Sequence, residues 1–252
     1  MKNLWLANCF WAIFFLVALQ GVNAQQVNEA KPFLDDFRGT VSVTHNGISL
    51  IPSFSLGDPA ALFDLKFTKG RFSFEPDMRF ALEGKPWSFL FWFRYKAVQH
   101  EKFSLRLGVH PALNFRTISI NRNGADEDIL ESRRFLASEI APSYQIGKNV
   151  GVGLYYLYSY GLDNSAKNNH FIVASISFSK INLTEQFHLS FSPQAYYLKQ
   201  DDIDGFYAVA FFTLSKEGFP LSVSSILNKA IDTRIQPEKD FTWNVSLNYR
   251  IR

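Results

Sequence analysis

The sequence has few of the residues that define several common classes of protein. One cysteine and two methionines occur among 252 residues, and Cys9 lies in an apolar N-terminal stretch. A disulfide framework and a thiolate metal site are therefore excluded for the rest of the chain. The charge is nearly balanced, with 26 basic and 23 acidic residues, and no basic run is interleaved with aromatic residues. This pattern argues against a nucleic-acid surface.

Long apolar runs are also missing after the first residues of the chain. Lys2 precedes an apolar stretch over residues 4–19, and Val22 and Ala24 put small or slim residues at the two positions that a signal peptidase reads. This arrangement is typical of a secretory signal peptide over residues 1–24, with cleavage before Gln25. A single membrane anchor is the alternative, but the run is shorter than the ~20 residues that a helical span needs.

Aromatic residues are abundant in this chain. It holds 26 Phe, 10 Tyr and 5 Trp, which is more than a soluble core usually buries. Residues 25–37 are polar and predict a short leader, whereas apolar and polar residues alternate over much of residues 38–252. The clearest examples are residues 72–83, 103–116 and 241–252. Strict alternation predicts strands whose two faces meet different surroundings.

The length of these strands favours a membrane-spanning barrel. They run for roughly 10–16 residues, about twice the length of an average strand, which suits a tilted crossing of the hydrocarbon layer. A soluble lipid-binding barrel would turn its apolar residues inward and its charges outward. We therefore predict an all-β, transmembrane, antiparallel up-and-down β-barrel of about twelve strands. The predicted segments are 39–56, 60–68, 71–83, 86–97, 101–120, 129–145, 148–161, 168–180, 185–199, 205–215, 219–230 and 240–252.

The connections between these segments are expected to sort by length between the two rims. Long polar connections fall on the rim opposite the C-terminus, and tight ones fall on the rim that carries it, as transmembrane barrels show. Two short connections, at residues 57–59 and 84–85, are exceptions to this sorting. The long polar connections lie near residues 121–128, 162–167, 200–204 and 231–239.

The first segment, residues 39–56, is the least regular. Val41 is out of phase with Ile48 and Phe54, so we place a β-bulge at residues 46–47 to restore the alternation. Two short strands are the alternative here. They would raise the count to thirteen and put the N-terminus on the wrong side of the barrel.

Hairpin register gives a second prediction. A two-residue turn at residues 69–70 would pair Asp64 with Glu75, and a turn at residues 84–85 would pair Glu75 with Arg94. In both hairpins the polar faces of the two strands then lie on the same side of the sheet, as strand pairing requires.

This layout resembles single-chain β-barrel proteins of the Gram-negative outer membrane, and its aromatic richness is similar to that of the Bacteroidota type. The closing segment, FTWNVSLNYRIR, is similar to the insertion signal of that class, although it ends with Arg252 and not with an aromatic residue. The resemblance covers residues 38–252. It implies an outer-membrane location, a periplasmic leader over residues 25–37, contact with outer-membrane lipid and insertion by the barrel-assembly machinery.

Function is expected on the face that turns away from lipid. Charges at mid-depth in lipid cost a few kcal/mol each, so the charged faces must line the lumen. The second half of the barrel is milder, with Ser, Thr, Asn, Gln and His188 at its inward positions. The predicted inward charges and His of the first half are Asp64, Lys66, Arg71, Glu75, Asp77, Arg79, Arg94, Lys96, Arg106, His110, Arg116, Arg133 and Glu139.

Two interpretations of this ladder stay open. In one, Glu75 and Arg94, with Arg106 on the next strand, form ion pairs that fill a narrow lumen and brace the wall. In the other, the same ladder lines a narrow polar channel in which a small excess of basic groups favours small anionic solutes. A twelve-strand barrel is intermediate in width, so the strand count does not choose between them.

Catalysis is the weakest of the functional hypotheses. His188 and Ser190 are similar to the His-x-Ser element of outer-membrane phospholipases, but the predicted register turns both side chains inward. We predict no catalytic residue, no metal site and no cofactor. The other histidines lack metal-ligand spacing, and the acidic residues near 121–128 lack the pattern of an EF-hand.

Overall fold

A computed structural model of the chain describes residues 32–122, 124–163, 165–237 and 239–251. The predicted signal peptide and most of the predicted leader, residues 1–31, lie outside the described residues. Within the described part, the only helix is a single 3-10 turn, and no helix is long and apolar enough to cross a membrane.

Twelve antiparallel strands form one closed barrel. Each strand pairs with its neighbours in sequence, and β1 closes the barrel against β12, so the predicted fold and strand number are confirmed. β1 begins at Asp36, two residues before the predicted boundary. The strands are β1 (Asp36–Thr44), β2 (Ala60–Lys69), β3 (Phe72–Ala81), β4 (Pro86–Gln99), β5 (Phe103–Arg122), β6 (Ala125–Gly147), β7 (Val150–Gly161), β8 (Asn168–Asn182), β9 (Phe187–Gln200), β10 (Ile203–Lys216), β11 (Leu221–Thr233) and β12 (Phe241–Ile251).

The alternation of residue types decides which face of each strand turns outward. On β12, Trp243 and Leu247 are half-exposed on the outside, whereas Asn244 and Ser246 are buried inside. Apolar side chains of other strands continue this outer surface around the barrel, and neighbouring rings such as Phe74 and Phe93 stack on it at 5.0 Å. A closed barrel with apolar residues outside and polar residues inside has the surface of a membrane-spanning barrel.

The two rims differ less than the sequence predicted. The start of β1 and the end of β12 lie at one rim, which we call the side of the termini, and the described connections there are tight turns. At the opposite rim, residues 45–59, 162–167 and 234–240 form longer connections. However, the predicted loop at residues 121–128 is mostly strand, because β5 and β6 extend into a tall hairpin, and residues 201–202 form a tight turn.

The register prediction is wrong by two residues, although the faces are right. Asp64 pairs with Asp77, and Glu75 pairs with Trp92. A shift of two residues keeps every side chain on its face of the sheet, so the alternation pattern could not detect it. A bulge in the pairing of β3 with β4 leaves Trp87 as the extra residue.

The prediction for the first segment is also wrong. β1 ends at Thr44, and residues 45–59 leave the wall and fold into the lumen, with a 3-10 turn over Pro52–Phe54. The connection before β2 is therefore long, and no bulge at residues 46–47 is needed. We call residues 45–59 the plug segment, and residues 48–55 its tip.

Candidate functional site in the barrel lumen

The plug segment is tied to strands on different sides of the barrel. Trp87 on β4 donates its indole N–H to the backbone oxygen of Phe54 at 2.7 Å. Arg133 on β6 donates to the backbone oxygen of Ser53 at 3.0 Å. Gln200 on β9 lies 3.5 Å from the Ser53 hydroxyl. Because β4, β6 and β9 do not adjoin one another, the tip spans the lumen.

The plug segment leaves the wall through a narrow neck. The N–H of Gly47 donates to the carbonyl of Asp58 at 2.8 Å, and the N–H of Leu56 donates to the carbonyl of Gly47 at 2.9 Å. A Cβ at position 47 would lie 3.0 Å from Leu56 and 3.1 Å from the Trp87 ring, so glycine permits this close approach. The tip is thus a compact loop whose two ends meet, an Ω-loop.

Apolar contacts hold the tip inside. Leu50 and Ile51 pack against a buried cluster that β4 and β6–β10 contribute to the lumen. Phe54 packs against Phe135, with ring centroids 4.9 Å apart, and the Arg133 guanidinium lies 5.1 Å from the centre of the Phe54 ring. These contacts explain why the tip is apolar although it is not part of a wall strand. Its apolar side chains, which the sequence analysis assigned to a strand, face a core inside the barrel.

Below the tip, on the side of the termini, the predicted charges form a chain of ion pairs. Lys66 and Arg94 both bind Glu75, and Arg94 also binds Glu139 at 2.8 Å. Arg106 reaches the same Glu139 oxygen at 2.8 Å. The chain therefore crosses five strands, from β2 to β6. We call Lys66, Glu75, Arg94, Glu139 and Arg106 the ion-pair ladder.

Glu139 is the centre of the ion-pair ladder, since its side chain is 0% exposed and binds two arginines. Gly108 lies opposite Glu139 in the pairing of β5 with β6. A Cβ at Gly108 would lie 2.8 Å from Cγ of Glu139, so the missing side chain makes room for the carboxylate. This packing fixes both oxygens of Glu139 toward Arg94 and Arg106.

The other predicted inward residues lie at separate heights. Arg79 binds Asp77 through Nε at 2.8 Å, while Asp64 on the neighbouring strand stays exposed to the lumen. His110 is buried against Trp92, with ring centroids 3.8 Å apart. Arg116 and Arg133 lie toward the opposite rim, paired with Glu131 and Asn114 respectively, and Arg71 donates to the backbone oxygen of Ala97 near the turn that follows β4.

The mouth on the side of the termini is basic. A cavity of about 360 Å³ at this rim is bordered by Lys66, Lys96, Lys102 and Arg106, with Glu101 as its one lining carboxylate among the described residues. The side-chain ammonium of Lys96 makes no hydrogen bond or ion pair within the described part of the chain. The unpaired positive charge at this mouth therefore exceeds the negative charge.

Three further cavities follow one another along the lumen. On the side of the termini, a charged vestibule of about 490 Å³ is lined by Lys66, Glu75 and Arg94 of the ion-pair ladder and by Asp64. A chamber of about 360 Å³ lies beyond it and shares Arg79, Leu90 and Trp92 with the vestibule. A third cavity, of about 200 Å³, lies under the opposite rim and shares only Ile48 and Ser49 of the plug segment with the chamber. The plug segment thus separates the last two cavities.

Sequence analysis missed the plug segment and the apolar part of the lumen. One signal could have found them: β8–β10 carry apolar residues at inward as well as outward positions near the opposite rim. Phe171, Val173, Leu198, Tyr207 and Val209 are all buried inside the barrel. Inward apolar side chains in a wet lumen would be unfavourable, so they predict an apolar partner inside.

The candidate catalytic pair is not assembled. His188 has both ring nitrogens engaged, Nδ1 with Asn182 at 3.0 Å and Nε2 with Glu217 at 2.8 Å. Ser190 forms no hydrogen bond with His188. A general base needs a free ring nitrogen within reach of the nucleophile, and this arrangement leaves none. Within the described ranges, no three His, Cys, Asp or Glu residues are grouped to hold a metal ion.

Comparison with protein-family models finds no match, and comparison with curated proteins finds none either. Among solved structures, the chain is similar to an outer membrane channel from Pseudomonas putida F1, with a TM-score of 0.56 and 10% identity over 91% of this chain and 100% of that one. It is also similar to the NanC porin (TM-score 0.48, 10% identity, 84% and 97% covered) and to LpxR from Salmonella typhimurium (TM-score 0.48, 12% identity, 85% and 99% covered). The likeness to the Pseudomonas putida channel shows the fold of outer-membrane β-barrels alone.

Proposed function

We propose that the protein is an outer-membrane channel whose lumen is closed by the plug segment. The observation that carries this proposal is the row of cavities along the lumen, interrupted by the plug segment between the chamber and the opposite rim. The apolar outer surface supports a place in the outer membrane, surrounded by its lipid. The fold likeness to an outer membrane channel supports the same function.

Opening requires displacement of the tip and not of the wall. Every wall strand is paired on both sides, whereas the tip is held by a few hydrogen bonds and by apolar packing. Because the neck at Gly47 and Leu56 is closed by its own backbone hydrogen bonds, the tip can leave the lumen without unpairing β1 or β2. Its departure would join the chamber to the cavity under the opposite rim.

The charged residues have two roles in this proposal. The ion-pair ladder braces β2–β6 in the part of the lumen that the plug segment does not fill. The basic groups at the mouth, Lys66, Lys96 and Arg106, raise the local concentration of small anionic solutes. We place this mouth in the periplasm, together with both termini, and we expect insertion by the barrel-assembly machinery.

We infer that the protein is not an enzyme. The engagement of His188 with Asn182 and Glu217 supports this inference, as does the inward position of Ser190, away from lipid. The alternative of a lipid-modifying hydrolase would need Ser190 activated near the membrane lipid. Loss of detergent-micelle phospholipid hydrolysis in Ser190→Ala would contradict our inference.

Planar-bilayer recording tests the channel directly. Discrete conductance steps are expected, with a preference for chloride over potassium. Arg106→Ala should shift the reversal potential in a salt gradient toward that of a cation-selective pore, because Arg106 is 42% exposed at the mouth and adds positive charge there. Lys199→Ala, on the outward face near the other rim, is the matched control and should leave selectivity unchanged. Silent bilayers at high protein load would favour a structural or binding barrel instead.

A further inference from the structure

The chamber between the vestibule and the plug segment has the features of a ligand site. Its volume is about 360 Å³, within the range of small-molecule sites. A cavity of roughly 150 Å³ lined by Leu, Ile and Phe is enough to bind benzene. The chamber therefore has room for a molecule of one or two rings.

The lining of the chamber is mainly apolar. Leu50 and Ile51 of the plug segment face Trp92, Phe171 and Ile226 of the wall across it. Such a surface binds an apolar molecule because burying apolar area removes it from water. The plug segment forms one wall, so the site exists only while the tip is in the lumen.

Two serine hydroxyl groups in this lining have no partner among the residues that the structure describes. Ser88 and Ser159 are 6% and 5% exposed, and neither hydroxyl forms a hydrogen bond with the described residues. A buried polar group without a partner costs free energy, and a bound molecule that offers a hydroxyl or carbonyl would satisfy it. The two serines lie on β4 and β7, so they approach the chamber from separate strands.

Charge limits the class of ligand further. Arg79 is the one charged residue in the described lining of the chamber, and two hydrogen bonds tie it to Asp77. A charged ligand would enter a largely apolar space without a free counter-charge, at a high desolvation cost. The basic mouth attracts anions, but the chamber excludes them while the tip is in the lumen.

We propose that the chamber is a binding site for a small, uncharged, mainly apolar molecule of one or two rings that carries a hydroxyl or carbonyl group. Its apolar body packs between the plug segment and the wall. Its polar group binds the hydroxyl of Ser159. Occupancy stabilises the closed barrel, since the ligand contacts the tip directly.

Fluorescence quenching by 4-bromophenol tests this site in the full-length protein in lipid nanodiscs. Trp243→Phe removes the tryptophan on the outer surface, and Trp5→Phe and Trp11→Phe remove those of the predicted signal peptide. Quenching then reports Trp87 and Trp92 and not probe dissolved in lipid. Saturable quenching is expected. Bromobenzene should bind about fivefold more weakly, because it lacks the hydroxyl, and 4-bromobenzoate should not bind.

Matched variants test whether the probe binds inside the chamber. In the same background, Ala112→Leu adds three carbons inside the chamber and should weaken binding at least tenfold. Ala208→Leu makes the same change on the outer face and should leave binding unchanged. Ser159→Ala removes a single oxygen atom, so the fold should be preserved. This variant should lose most of the preference for 4-bromophenol over bromobenzene.

Three results would overturn the proposal: quenching that does not saturate, equal binding in the Ala112→Leu and Ala208→Leu proteins, and binding of 4-bromobenzoate as tight as that of 4-bromophenol. Heat-modifiable gel migration checks that each variant is folded, and Ser159→Ala decides the outcome if Ala112→Leu fails that check. Bilayer conductance is a separate measurement. If the protein conducts but shows no saturable quenching, the ligand site is refuted and the channel proposal stands. If quenching saturates but the protein does not conduct, the channel proposal is refuted and the ligand site stands.

Discussion

Trp87 should control how often the channel opens, because its indole N–H ties the tip to strand β4 of the barrel wall. The side chain is 1% exposed, and its N–H lies 2.7 Å from the backbone oxygen of Phe54. Trp87→Phe keeps an aromatic ring at this position and removes the donor. The carbonyl of Phe54 then stays buried without its partner.

The size of the effect follows from the hydrogen bond. Its net contribution is about 1 kcal/mol, and an unsatisfied buried acceptor costs up to ~3 kcal/mol. A loss of roughly 1–2 kcal/mol changes a two-state ratio by about 5- to 30-fold. The ratio of closed to open states should therefore fall by about that factor in Trp87→Phe.

Single-channel recording measures this ratio as the open fraction at fixed voltage. Tyr160→Phe is the matched control, since Tyr160 is 43% exposed on the outer face, loses a donor in the same way and should leave gating unchanged. Heat-modifiable gel migration at graded temperatures checks that the barrel itself is intact. An open fraction equal to that of the wild type, in a folded Trp87→Phe protein, would refute the assigned role of the tip.

Two further predictions concern stability. Glu139→Gln leaves Arg94 and Arg106 without the carboxylate that both bind, and should lower the free energy of unfolding in urea by about 3 kcal/mol. The control, Glu131→Gln, changes an exposed ion pair near the opposite rim and should lower this free energy by less than ~1 kcal/mol. Equal losses in the two variants would contradict the central place of Glu139. Hydrogen bonds from Arg134 lower the pKa of Asp163, in the connection between β7 and β8, to about 2. The stabilising contribution of Asp163 is therefore present above its ordinary pKa of 3.8 and is lost as the pH falls toward 2. Melting temperatures between pH 5 and pH 2 should fall less in Asp163→Asn than in the wild type, and parallel curves would show that this pair adds no stability.

The alternation of residues was enough to predict the barrel. β12 shows why: each second residue is apolar, and no neighbouring element changes that pattern, because lipid covers one face and the lumen lies on the other. The same argument fixed the inward direction of Glu75, Arg94 and Glu139. The predicted ion pair of Glu75 with Arg94 forms. The partners of Glu139 could not be predicted, since a register shift of two residues preserves all faces but changes the strand partners.

The plug segment could not be predicted from the alternation of apolar and polar residues. Ile48, Leu50 and Phe54 have the spacing of a strand, and nothing in the spacing tells a residue that faces lipid from one that packs inside a lumen. Pro52 was the local sign, because proline lacks the donor that a strand inside a barrel wall needs. The partners of the tip, Trp87 and Arg133, are distant in sequence and meet it only after the barrel has closed.

Removal of the tip tests the central proposal most directly. Residues 48–55 can be replaced by Asn-Gly, since Gly47 and Leu56 are already paired at the neck and Asn-Gly forms a two-residue hairpin turn. We predict that this variant folds and conducts steadily in planar bilayers, whereas the wild type shows rare and brief openings. A variant that folds as judged by heat-modifiable migration, yet passes no more current than the wild type, would contradict closure by the plug segment.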